Sequence, residues 1–247
     1  MHTETLFPYE VLRPFFRDGY WNGRNAKGED TLEQLWNHLP GTVANVNAIS
    51  VVDTSGSMYC GCGPLMPALI SQAMGLYCAE RCKGLFHNHM ITFESTPHLV
   101  EIHGSSLRDK LMYISNLPWG GSTNLEAVFN LILTAAVNGH ARQEEMPQVI
   151  YIFSDMEFNC CMCNADKTVY ENAREQFEAA GYRMPAVVFH DVNSWQMQTP
   201  VTAHTRGTAL SSGASTHTME CKFDGNITPM DHMLRVLNSK RYEMIHA

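Results

Sequence analysis

The stretch Ala48-Ile49-Ser50-Val51-Val52-Asp53-Thr54-Ser55-Gly56-Ser57-Met58 limits the architecture more than any other part of the chain. A short apolar, β-branched run of this kind predicts a strand covered on both faces, which requires a layer above and a layer below the sheet. The run ends in an acid, and two hydroxyl residues follow on a turn that Gly56 permits. Asp53, Ser55 and Ser57 stand at i, i+2 and i+4, a spacing that lets three oxygen-bearing side chains converge on one small hard cation such as Mg²⁺. The same residues also suit a plain Asx or Ser turn that caps the next helix. A phosphatase with an Asp nucleophile after such a strand would need a second Asp two residues on, and that position is Ser55.

Further strands are predicted over 89–93, 98–102, 148–155 and 186–190, with a weaker one over 208–211. Helices are predicted over 65–81, 106–117, 125–138, 168–180 and 230–238. The alternation implies βαβ units. It describes an α/β, doubly wound, mostly parallel six-stranded sheet with helices on both faces. Only about four residues link the second and third strands, so these two form a hairpin and the third runs antiparallel. Residues 1–45 read as a helical lead-in that packs on a domain formed by 46–247. A short helix opens near Pro8, a Gly-rich loop covers 19–28, and Asp30 or Thr31 caps a second helix that Pro40-Gly41 ends.

Composition narrows the function. Among 247 residues, 17 Lys and Arg face 25 Asp and Glu, a net charge of −8. That balance disfavours a protein that grips nucleic acid by neutralising phosphates, and it suits a cation-binding face or a basic partner. The start, Met1-His2-Thr3-Glu4-Thr5, shows neither the basic nor the apolar region of a secretory signal, and no apolar stretch is long enough to span a membrane. The eight cysteines are clustered instead of spaced as a disulfide frame. The expected location is therefore cytoplasmic, in a reducing compartment, with no membrane partner.

In an open α/β sheet, ligands bind beyond the carboxyl ends of the strands, where the strand order reverses. Two strands here end in a carboxylate, at Asp53 and Asp155, and the Thr123 loop precedes a helix that can bring it to the same edge. Asp53, Ser55, Ser57, Thr123 and Asp155 form a candidate oxygen cage. The segments Val-Val-Asp53-Thr-Ser55-Gly-Ser57-Met, Gly121-Ser-Thr123-Asn and Phe-Ser-Asp155-Met resemble, in this order and spacing, the three metal-site loops of von Willebrand factor type A domains. The resemblance runs over about 46–238. Phe-Ser-Asp155-Met-Glu-Phe, Ala180-Gly-Tyr-Arg-Met-Pro-Ala-Val-Val-Phe and Val236-Leu-Asn-Ser-Lys-Arg-Tyr242 narrow it further. These look like an uncharacterised family of A domains in viruses, plants and fungi that is related to the Ro (TROVE) ribonucleoproteins.

The resemblance implies the strand order 3-2-1-4-5-6. It also implies Mg²⁺, or Mn²⁺ or Ca²⁺, on the five cage residues, with an open position for an acidic side chain of a protein partner or for an RNA phosphate. Trp119, Asn124 and Glu157 are the candidate rim toward that partner. Direct RNA binding and a metal-dependent phosphoesterase stay open as rivals, the latter with Glu157 as its base. Cys60 and Cys62 follow the first metal loop, and Cys160, Cys161 and Cys163 follow the third, so a structural Zn²⁺ and simple free thiols are both open there. Cys78 and Cys82, at i and i+4 on a helix, read as core residues. His190-Asp191 ends the fifth predicted strand, either as a plain strand-end cap or as a pair that supports the metal face from behind its ligands.

Overall fold

The computed structural model describes residues 6–17, 20–23, 26–43, 45–60, 66–119, 121, 123–156, 168–193, 201, 205, 207–214, 216–219 and 237–238. Six strands build the main sheet: β1 (Ala48–Asp53), β2 (His89–Phe93), β3 (Leu99–Glu101), β4 (Val149–Ser154), β5 (Ala186–Asp191) and β6 (Thr208–Ser212). Their order is β3-β2-β1-β4-β5-β6. Every neighbouring pair is parallel except β2–β3, which is the expected antiparallel hairpin at the edge.

All six residues of β1 are buried, and so are all six of β4, because the two central strands are covered on both faces. Alternate side chains enter two different cores. Ala48 and Val52 of β1 and Tyr151 and Phe153 of β4 pack with α3 (Pro67–Arg81). Ile49, Val51, Ile150 and Ile152 pack on the opposite face with α5 (Leu125–Asn138) and α6 (Val169–Ala179).

Helix α3 is apolar nearly all round, and 13 of its 15 residues are buried. One side lies on β1. The other is covered by the lead-in, through Val11 and Leu12 of α1 (Pro8–Leu12), Phe15, and Trp36 of α2 (Glu29–Asn37). A polar latch reinforces this contact. The Trp36 indole N–H donates to Glu80 (2.5 Å), Lys110 Nζ donates to the other Glu80 oxygen (2.6 Å), and the Arg81 guanidinium lies 5.2 Å from the Trp36 ring and 4.5 Å from the Tyr77 ring.

The lead-in departs from expectation in two places. Phe16–Arg17 and Tyr20–Trp21 form a two-stranded antiparallel hairpin where the sequence reads as the start of a loop. Helix α2 begins at Glu29 with Gly28 as its N-cap, at φ +72°, and not at Asp30 or Thr31. The Glu29 carboxylate instead accepts the Ala26 N–H (2.7 Å) and Arg108 of α4 (Leu107–Ser115) at 2.8 Å, which fixes the chain one turn earlier than a side-chain cap would. The predicted closing helix over 230–238 falls almost wholly outside the described residues.

Gly75 is the closest point between α3 and β1. A Cβ there would sit 2.2 Å from Val52 Cγ2, and the Ser50 hydroxyl donates to the Gly75 carbonyl at 3.2 Å. Gly75→Ala is therefore expected to cost about 1–3 kcal/mol by overpacking, despite the better helix propensity of Ala. Chemical denaturation of Gly75→Ala, Val52→Ala and the double variant checks this. The double variant should lose less than the sum of the singles, whereas strict additivity would refute the clash.

Candidate functional site

The strand order reverses between β1 and β4; Asp53 ends β1 with Ser55 and Ser57 in the loop that follows, Asp155 directly follows β4, and Thr123 lies on the separate loop before α5. Ser71 of α3 holds the crevice at its base. Its hydroxyl accepts the Asp53 N–H (3.1 Å) and donates to the Phe153 carbonyl (2.9 Å), so one side chain ties the end of β1 to the end of β4. Above it, Asp53 is fully buried. The Ser55 N–H donates to Asp53 Oδ1 (2.8 Å) and the Ser154 hydroxyl donates to Oδ2 (2.5 Å). Ser154 also accepts the Met156 N–H at 3.1 Å, which links the first acidic loop to the third. Met156 takes a left-handed φ of +64°, an uncommon conformation for a residue without the freedom of glycine, directly after Asp155.

Ser55 is buried at the N-cap of the one-turn 3₁₀ helix Gly56–Tyr59, Ser57 is half-buried on it, and their hydroxyls share a hydrogen bond of 3.1 Å. Thr123 and Asp155 are buried as well. The Thr123 loop is pressed against the turn after β2. Gly121, at φ +92°, would place a Cβ 3.1 Å from Ser95 Oγ, so a larger residue is excluded there. Asn124 then caps α5 by accepting the Ala127 N–H at 3.0 Å.

The electrostatics follow from this burial. Loss of solvent pushes the Asp53 carboxyl up to about 6, against the pull of its hydrogen bonds from Ser154 and Ser55, and neighbouring Asp155 adds to the rise. Asp191, at the end of β5, is also raised, first by burial and then by Asp155. Two buried carboxylates with hydroxyls around them form an all-oxygen donor set that suits a hard divalent cation such as Mg²⁺. Among the described residues no three His, Cys, Asp or Glu side chains group as a metal site, so a cation here would depend on the hydroxyls beside its two acids. The buried Thr54 Oγ1 also has no hydrogen-bond partner among the described residues.

The remaining candidates are placed as follows. Trp119 is half-buried, donates its indole N–H to the Ile114 carbonyl (2.7 Å) and packs on the α3-side core. Cys60 is exposed, and Cys78 and Cys82 are buried free thiols. Cys62, Cys160, Cys161, Cys163 and Glu157 lie outside the described residues. Ser71 and Ser154 escaped the sequence reading. Ser71 sits in an apolar helix with no motif around it, and Ser154 is visible only as the hydroxyl preceding a strand-end acid.

His190 is not at the surface of the strand end. It is 1 % exposed, packs edge-on against Phe153 with ring centroids 5.4 Å apart, and donates from Nε2 to the Gly213 carbonyl at 2.7 Å. Burial pushes its pKa down to about 4. The unfolded chain then binds a proton below about pH 6.5 that the folded chain refuses until about pH 4. The stability that neutral His190 supplies is complete above pH 6.5 and is lost as the pH falls toward 4. Asp53 acts in the opposite sense in the metal-free protein, because its raised carboxyl takes up a proton in the folded state first. His190→Gln, which keeps a donor for Gly213, should therefore gain about 2 kcal/mol relative to wild type between pH 7 and 4.5. Denaturation of both proteins across that range reads the difference, and parallel pH profiles would contradict it.

A relative from Acanthamoeba polyphaga mimivirus, "Uncharacterized protein L728", is 35 % identical over 245 residues, which is 96 % of this chain and 40 % of that protein. The crystal structure of Deinococcus radiodurans Ro (RSR) protein superposes with a TM-score of 0.50 at 16 % identity, over 85 % of this chain and 42 % of the Ro chain. Proximal thread matrix protein 1 of the mussel byssus gives a TM-score of 0.44 at 11 % identity, over 72 % of this chain and 46 % of its own. The chain thus spans about two fifths of the length of the mimivirus and Ro proteins, and its fold is like that of the matching part of the Ro chain. A family model described as a domain of unknown function (DUF7788) matches residues 47–242, and the chain belongs to that family.

Proposed function

We propose that the chain is a divalent-cation-dependent binding module. Asp53, Ser55, Ser57, Thr123 and Asp155 hold Mg²⁺, in part through water, and an open position on the ion accepts an acidic side chain of a protein partner. The observation that carries this reading is the buried Asp53 carboxyl, raised to about 6 with Asp155 beside it and hydroxyls around it. A desolvated acid pair of this kind is costly alone and is relieved by a cation. The donors are two carboxylates and three neutral hydroxyls; the two acids balance the ion's charge, and its open coordination position takes an anionic oxygen from the partner.

We read the module as a binder and not a catalyst. Hydrolysis would need a titratable group at the metal-bound water, and the five donors offer only acids whose basicity a dication suppresses. An intracellular setting belongs to the same proposal and is supported by the free thiols of Cys60, Cys78 and Cys82.

Millimolar Mg²⁺ or Mn²⁺ should raise the melting temperature, with about 2.7 kcal/mol of added stability at a hundredfold excess over Kd. Asp53→Asn should abolish the response while leaving the metal-free protein at least as stable, because it removes a buried charge. Thr123→Ala should weaken binding less, since water can replace one neutral donor. Differential scanning calorimetry with and without EDTA decides this. An unchanged melting temperature in wild type, or metal-dependent hydrolysis of RNA or a nucleotide, would sink the proposal.

A further inference from the structure

The lead-in hairpin reaches over the sheet edge and meets the first acidic loop. Tyr20 stacks on Tyr59 with ring centroids 4.6 Å apart and planes 9° from parallel. Tyr59 ends the 3₁₀ turn that presents Ser57, and it interacts with the buried Gln72, the residue after Ser71. The turn's own backbone hydrogen bonds are local, from the Met58 N–H to the Ser55 carbonyl (3.1 Å) and from the Cys60 N–H to the Ser57 carbonyl (2.9 Å). Met58 is anchored in the core, but a Cβ at Gly56 would meet nothing within 4 Å. The hairpin, in contrast, is a firm post. Trp21 stacks on Phe15 at 6.1 Å, and Arg108 lies 5.9 Å from the Trp21 ring while donating to the Gly23 carbonyl and to Glu29.

Tyr20 itself is 59 % exposed, so it adds little to the hydrophobic core. An exposed aromatic held flat on a loop residue is better placed to order that loop than to stabilise the fold. We propose that Tyr20 is a positioning residue of the cation site: through Tyr59 it fixes the turn that aims the Ser55 and Ser57 hydroxyls. The inference rests on the metal-binding reading above. It makes the lead-in a working part of the site and not only a cover for α3.

Isothermal titration of the full chain with MgCl₂ and MnCl₂ tests it. Tyr20→Ala should weaken Kd about threefold to tenfold, the range expected for one aromatic pair, and leave the metal-free melting temperature within about 2 °C of wild type. Tyr20→Phe and Tyr20→Trp should restore wild-type affinity, since each keeps a ring on Tyr59. In a Tyr59→Ala background, Tyr20→Ala should have no further effect on Kd. Wild type that binds while Tyr20→Ala binds equally well would overturn this inference alone. So would failure of Tyr20→Phe to restore affinity, or a fall of more than about 5 °C in the metal-free variant. Wild type without saturable binding would overturn the metal reading and this inference together.

Discussion

A strand buried on both faces must still end somewhere, and the end of β1 is where the fold meets its strongest constraint. Asp53 brings a carboxylate to a position with no exposure, beside a second buried acid, Asp155. Charge in that environment has to be shared out among donors. Ser55 and Ser154 donate to the two Asp53 oxygens, and Ser71 accepts its backbone N–H from below. Each of these partners comes from a different segment: the loop after β1, the end of β4, and α3. The requirements of one acid therefore set how closely the two central strands and the helix above them approach.

The close fit of α3 follows from the same need. Ser71 reaches the strand ends because the helix lies low on the sheet, and it lies low because Gly75 offers no side chain to Val52. A helix that deep exposes its outer side to a second layer, which the lead-in supplies through Val11, Leu12, Phe15 and Trp36. The lead-in is therefore continuous with the core. Its hairpin ends against the loop that carries Ser55 and Ser57, so covering the helix and framing the site are done by one segment.

Much of this was legible in the chain. The alternation of apolar runs with 3.6-residue periodicity requires an α/β sheet, and the short link after β2 requires an antiparallel edge. Both follow from local geometry, which sequence spacing reports directly. The apolar residues on most faces of α3 fit a buried helix, but not which elements cover it. Less legible were the start of α2, where an Arg108–Glu29 pair between distant segments overrides the local capping preference, and the hairpin at Phe16–Trp21. His190 reads in the chain as a residue at a strand end, and the structure makes it a core residue because Phe153 and the Gly213 carbonyl close over it.

The sequence by itself determined which oxygen-bearing residues end the strands and which loops carry them, since a strand's period and a turn's chemistry are properties of a few adjacent residues. Only the tertiary structure decided that Ser71 and Ser154 complete the environment of Asp53, that Gly75 sets the depth of α3, and that Tyr20 lies on Tyr59. These contacts join residues from 18 to 101 positions apart in the chain. Their energies depend on burial and on the packing of whole elements. No local pattern encodes either quantity, because both arise only when the layers close on one another.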